Sequence, residues 1–165
     1  MPYNVTLEEA LKHEEVKSRL ASSITKLKQV TTMFLATIVK ARTKVPYGIS
    51  YMAKVLHVAL KTKFPHIADK ELLKIVGNLV YYRYINSAIV APDAFNIVDI
   101  SVEKGGLNND QRRNLGSVAK ILQFAATKKG FGEESPHLVP LNTYIVECHE
   151  KFKKFFQECC MVSIL

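Results

Sequence analysis

The sequence predicts an all-α fold, a multi-helix bundle, on three observations. Apolar residues recur at spacings of three, four and seven along most of the chain. Prolines and glycines interrupt that recurrence where helices should end. No run alternates apolar and polar residues as a half-buried strand would. With 165 residues, 48% of them apolar, the chain has material for a hydrophobic core.

Thr6 and Glu9 have the spacing of a capping box, in which hydroxyl and carboxylate each accept from an orphan amide. A long helix is expected to follow, turning Val16, Leu20, Ile24, Leu27, Phe34 and Ile38 inward. It should end near Lys44, because Pro46 restricts Val45 and has no N–H to donate. A second helix carries Ile49, Met52, Ala53, Leu56 and Leu60 on one face and stops at Pro65. Asp69 is placed to cap a third, over residues 70–85. That segment has so little polar surface that it is expected to be central and buried. Pro92-Asp93 marks a turn and Lys104-Gly105-Gly106 a loop. A fourth helix should start at Asn109 or Asp110, pack through Leu115, Val118, Leu122 and Ala125, and stop at Gly130-Phe131-Gly132. The last begins at Ser135 or Pro136 and buries Leu138, Leu141, Ile145, Cys148, Phe152 and Phe155.

The net charge of +8 is unevenly placed. From Val16 to Ala68 there is no Asp or Glu, while ten Lys and Arg side chains lie there. Such a block suits an anionic partner or an acidic neighbour. Its aromatic residues are too sparse for base stacking, so an acidic lipid surface fits better than nucleic acid. No stretch is long and apolar enough to span a membrane. The opening Met1-Pro2-Tyr3-Asn4 has no secretory pattern, which together with an odd number of clustered cysteines suggests a reducing cytoplasm.

Signatures of catalysis are missing. The glycine pairs lack the spacing and the following Lys-Ser/Thr of a phosphate loop. The five histidines do not pair at metal-ligand spacing, so neither metal nor cofactor is expected. Cys148 and Cys159 would lie roughly 16 Å apart on one helix, too far for a disulfide.

Arg83 stands out, because its apolar segment Leu79-Val80-Tyr81-Tyr82-Arg83-Tyr84-Ile85-Asn86 gives a guanidinium few acceptors. Burying it unpaired would cost several kcal/mol (roughly 3–5). It must therefore clamp the carbonyls of a neighbouring loop or reach solvent. On the clamp reading, Arg83→Ala should destabilise the fold. Asn86 follows three residues on, along the same helical face. Farther along, Arg113, Lys120 and Gln123 share a face opposite Leu115, Val118 and Leu122.

Tyr82-Arg83-Tyr84-Ile85-Asn86-Ser87-Ala88-Ile89 resembles the Phe-Leu-Arg-Phe-x-Asn-Pro-Ala-Ile signature of RasGAP domains. Val90-Ala91-Pro92-Asp93-Ala94-Phe95 and the run Asp110 to Gln123 look like the IQGAP branch of that family, as do Pro46-Tyr47-Gly48 and Lys63-Phe64-Pro65. The resemblance covers nearly the whole chain. It implies that residues 1–165 are the C-terminal half of a RasGAP-like helical domain, without the N-terminal half and its arginine-finger loop. Arg83 and Asn86 match positioning residues of the signature, and Tyr82 stands with them. Lys120 matches a lysine that faces the GTPase, and Arg113 and Gln123 share its face. Ser87 replaces the signature proline.

The implied function is a non-catalytic module that binds GTP-loaded Rho-family small GTPases, within a cytoplasmic scaffold acting on the actin cytoskeleton at the cell cortex. Without a finger, which contributes a factor of roughly 10³–10⁵, no enzyme activity is expected. Two alternatives stand beside it: an active Ras-type GTPase activator working through Arg42 or Arg112, and a basic helical module for acidic lipid. A half-domain would also leave apolar helix faces bare, which favours self-association.

Overall fold

The computed structural model describes residues 5–98 and 106–163. Among them every regular element is helical: α1 (Leu7–Ala10), α2 (Glu14–Lys40), α3 (Tyr47–Lys63), α4 (Asp69–Gly77), a π-helical segment (Asn78–Ile85), α5 (Asn86–Val90), α6 (Asn109–Thr127) and α7 (Asn142–Cys159). Short 3₁₀ turns at Arg42–Lys44 and Pro136–Leu141 lead into α3 and α7. The loop expected at Lys104-Gly105 lies outside the described residues, but Gly106 takes a left-handed φ of 72°.

Capping chemistry sets several ends. The Thr6 hydroxyl accepts from the Glu9 amide at 3.3 Å, and Glu9 Oε2 accepts from the Thr6 amide at 3.0 Å. This box heads only the single turn of α1, and α2 starts afresh after His13. α2 ends at Lys40, earlier than Pro46 alone would require, and the 3₁₀ turn fills the interval. Asp69 is the first residue of α4 rather than its cap, and its carboxylate meets Lys61 Nζ at 2.7 Å. Asn108 and Gln111 form a reciprocal box at the start of α6. α6 ends through Lys128, which adopts the left-handed conformation, so the glycines beyond it are not its terminator.

The core lies where α6 and α7 meet α4 and the π segment. Tyr81, Phe152, Phe155 and Phe156 form its aromatic centre, with Phe152 stacked on Phe156 at 5.2 Å between centroids and Tyr81 tilted onto Phe152 at 5.4 Å. Gly77 permits this packing, since a Cβ there would lie 2.7 Å from the Phe156 ring and 3.2 Å from the Ala126 carbonyl oxygen. Gly77→Ala is therefore expected to lose about 1–3 kcal/mol in chemical denaturation, although alanine is the better helix former. α3 buries Ser50 and Ala53, and Met52, expected inside, is 53% exposed because its Cβ points about 100° from that of Ala53.

The third predicted helix is broken in kind rather than in space. Leu72, Leu73, Val76 and Gly77 are buried in α4, then π winding carries the chain on to Ile85. A π turn, bonded i to i+5, advances through a smaller angle per residue than an α turn. Val80 and Tyr81 stay inside, whereas Tyr82, Arg83 and Tyr84 swing out to solvent. The expectation of a wholly buried segment is corrected accordingly.

Candidate docking face

The π segment is pinned to α6 by one buried bond: the Tyr81 hydroxyl donates to the Ala119 carbonyl at 2.9 Å. Burial pushes the Tyr81 hydroxyl well above its ordinary range, so it remains a donor at any working pH. Arg83 lies two residues from one end of this bond and Lys120 is next to the other. The two segments run antiparallel. Asn78 and Gln123 line one groove of about 370 Å³, and farther on Asp93 meets Arg112. Tyr82 and Arg83 are exposed on the π segment, Arg113 and Lys120 are exposed on α6, and Gln123 is half-buried there.

Arg83 is exposed, and among the described residues its guanidinium meets the Tyr82 ring, carbon to centroid 5.9 Å, and no carbonyl. The reading of Arg83 as a clamp within this chain is corrected; two residues on from buried Tyr81, it faces the opposite side of the segment. Arg83→Ala is now expected to change stability by no more than about 0.5 kcal/mol in thermal denaturation, as for other exposed substitutions. Asn86 is half-buried at the start of α5.

Arg113 and Lys120 are exposed on α6, opposite buried Val118 and Leu122, and Gln123 is half-buried. Among the described residues Arg113 has a loose, solvent-exposed contact with Asp110 at 3.7 Å. Lys120 holds its ammonium 5.7 Å from the Phe124 ring centroid and 5.5 Å from that of Phe131. Neither ring was singled out from sequence as a site residue; Phe124 could have been, since it lies four residues beyond Lys120 on the same helix face.

The turn after α5 is tied to the first turn of α6. Arg112 makes a forked contact with Asp93, at 2.6 and 3.3 Å, and this partner holds the Asp93 carboxyl below its ordinary value of 3.8. The lowered value means the fork is intact at neutral pH and is lost only as pH falls through the carboxylate range. Arg112 is therefore engaged. Arg42 is engaged too: it donates to the Glu158 carbonyl at the end of α7, close to where Lys54 donates to the Val162 carbonyl. Lys61 pairs with Asp69, Lys17 with Glu14 at 2.7 Å and Arg19 with Glu15 at 2.8 Å. Half of the basic block thus answers to this chain's own carbonyls and carboxylates.

No nucleophile is activated among the described cysteines. Burial raises Cys159 and Cys160 to about 11, leaving both as neutral thiols near pH 7. Alkylation of the folded chain should stay slow at pH 7.5 and accelerate toward pH 11. A raised value also means that this contribution to stability is full below about pH 9 and lost between there and 11. A pH titration of thiol reactivity, with the denatured chain as reference, checks both statements. Among the described residues no group of three His, Cys, Asp or Glu side chains could hold a metal ion.

A sequence model of the family described as "GTPase-activator protein for Ras-like GTPase" matches residues 1–127, across every element of this face. The chain belongs to the RasGAP family. Within RasGAP proteins it is similar to the Ras GTPase-activating-like protein IQGAP2 of Mus musculus, with 51% identity over 98% of this chain and 10% of that protein. IQGAP3 of Homo sapiens is 48% identical over the same shares. The Ras GTPase-activating-like protein rgaA of Dictyostelium discoideum is 30% identical over 97% of this chain and 19% of its own length. The chain thus spans about a tenth of the length of the two IQGAP relatives. The RasGAP match stops at Thr127, whereas α7, beyond it, supplies Phe152, Phe155 and Phe156 to the same core.

Proposed function

We propose that this chain is a non-catalytic docking module for a small GTPase of the Rho family in its GTP-loaded state, belonging to a larger cytoplasmic scaffold that acts on the actin cytoskeleton at the cell cortex. One observation supports the reading: α6 presents exposed Arg113 and Lys120, and the segment bonded to it through Tyr81 and Ala119 presents an exposed Arg83. Arg83, Arg113 and Lys120 offer an acidic partner three cations, while Tyr82 and Gln123 add contact between them. Asn86 supports the segment from the start of α5. The RasGAP match and the names of the relatives support a GTPase as that partner.

The absence of catalysis is part of the proposal. Arg42 and Arg112, the two arginines considered as alternative fingers, are engaged by the Glu158 carbonyl and the Asp93 carboxylate. The test is a panel of GTPases, each loaded with GTP analogue or GDP, titrated with the chain, together with single-turnover GTP hydrolysis. Nucleotide-dependent binding with less than about tenfold acceleration fits the proposal; a finger's contribution would be far larger. Binding to neither nucleotide state overturns it.

The acidic-lipid alternative is weakened by the internal pairing of the basic block, and co-sedimentation with acidic vesicles at low salt tests it directly. Self-association is proposed for the chain on its own. Met33, Ile97, Phe95 and Met52 are each more than half exposed, and an apolar trough of about 730 Å³ lies between α2, α5 and the start of α6. A concentration-independent monomer mass in solution would refute this.

A further inference from the structure

Lys120 differs from Arg83 and Arg113 in meeting two aromatic rings of its own chain rather than a single neighbour. Its ammonium lies against two rings at once, and those rings lie 4.9 Å apart at an interplanar angle of 53°. Two quadrupoles therefore attract one cation, and the angled pair forms a cradle open on its solvent side. Phe124 reaches Lys120 through ordinary helix geometry, one turn along α6. Phe131 reaches it only because the chain turns back on itself. Lys128 takes the left-handed conformation, with φ 52° and ψ 44°, and the Lys129 amide donates to the Phe124 carbonyl at 2.9 Å.

Phe131 is then locked from behind. Its amide donates to Asn142 Oδ1 at 2.8 Å, and Asn142 Nδ2 donates to its carbonyl at 2.9 Å. One side-chain amide thus closes both backbone groups of a single residue, as a neighbouring strand would. Asn142 is the first residue of α7, so the clasp ties the turn to the helix that supplies Phe152, Phe155 and Phe156 to the core. Gly130 makes room for it: a Cβ there would lie 2.9 Å from Asn142 Oδ1 and 3.0 Å from its Cγ. That glycine does not have a positive φ, so clearance for the clasp is the role it fills. Phe131 itself is only 6% exposed, leaving it little freedom to turn.

We propose that Phe131 and Asn142 are positioning residues for GTPase docking, the Gly130–Phe131–Asn142 clasp setting the two-ring cradle that aims the Lys120 ammonium at the partner. This rests on the docking function proposed above. A free lysine loses rotamer freedom when it is immobilised at an interface, and a lysine already restrained loses less. The cradle therefore strengthens binding without touching the partner.

The experiment uses the full 165-residue chain with its lysines reductively ¹³C-methylated, and Lys120→Arg assigns the Lys120 methyl signal. Ring currents should shift that signal upfield of the other lysines in the free protein. Phe131→Leu keeps an apolar side chain but removes the ring, and should return the signal to the common envelope. It should weaken binding to a GTP-analogue-loaded GTPase by about threefold to tenfold. Asn142→Ala should do the same in smaller measure, and Phe131→Tyr should restore both signal and affinity. In a Lys120→Ala background, Phe131→Leu should weaken binding no further. A wild-type Lys120 signal inside the envelope, or unchanged affinity in Phe131→Leu while wild type binds, overturns the cradle alone. A shifted signal in a wild type that binds no GTPase overturns the docking function, and the assigned role with it.

Discussion

Phe152→Ala is expected to lose about 3–5 kcal/mol of folding free energy, the usual range for emptying a buried aromatic site. Phe152 is fully buried and contacts three rings, stacking on Phe156 at 5.2 Å, meeting Tyr81 at 5.4 Å and standing edge-on to Phe155 at 6.4 Å. Its loss leaves a cavity that none of these rings can refill without leaving its own packing. Domains of this size have total stabilities of about 5–15 kcal/mol, so the variant should be near its unfolding midpoint under mild denaturant. Urea unfolding followed by circular dichroism measures the change. A loss below about 1 kcal/mol would mean that α7 is not an integral part of the core. Phe152→Leu serves as control, since it retains most of the apolar volume and should lose much less. The result bears on function because Tyr81, which pins the π segment to Ala119, rests on the same ring.

Lys120→Glu is expected to lower affinity for a GTP-loaded GTPase by about tenfold to a hundredfold, with most of the change in association rate at low salt. The substitution replaces the ammonium over Phe124 and Phe131 by a carboxylate that the ring faces repel and an acidic partner also repels. Because position 120 is exposed, the folding free energy should change by no more than about 0.5–1 kcal/mol. Titration at two ionic strengths, beside a thermal melt of the variant, separates lost binding from lost structure. Raising the salt should narrow the gap between wild type and variant, since exposed charges are screened over about 10 Å at 0.1 M. Equal affinities at low salt would remove Lys120 from the interface.

Much of the architecture was legible from local chemistry. Pro46 and Pro65 do bound α3, because a residue without an N–H disrupts a helix wherever it falls. Asn109 does open α6, and Ile145, Cys148, Phe152 and Phe155 do line the inner face of α7. These follow from spacing and backbone covalency alone. Misplacements occurred where two local devices competed. The Thr6 box has the spacing to head the long helix, yet it heads one turn. Gly130 has the chemistry of a terminator, whereas Lys128 already ends α6 and the glycine gives way to Asn142. Nothing in the string marks Phe131 as a partner of Asn142, since eleven residues and a reversal of chain direction separate them.

Sequence by itself determined that this chain is helical, where most helices lie and which family it belongs to, because periodicity, proline chemistry and signature residues act over a few positions. The direction in which Arg83 points was decided only by tertiary structure. Tyr81 is held inward by its bond to the Ala119 carbonyl and its packing on Phe152, contacts with helices 38 and 71 positions away, and Arg83, two residues on, faces the other side. Such distant contacts set the phase of the helix, and with it whether a guanidinium faces the core or a partner.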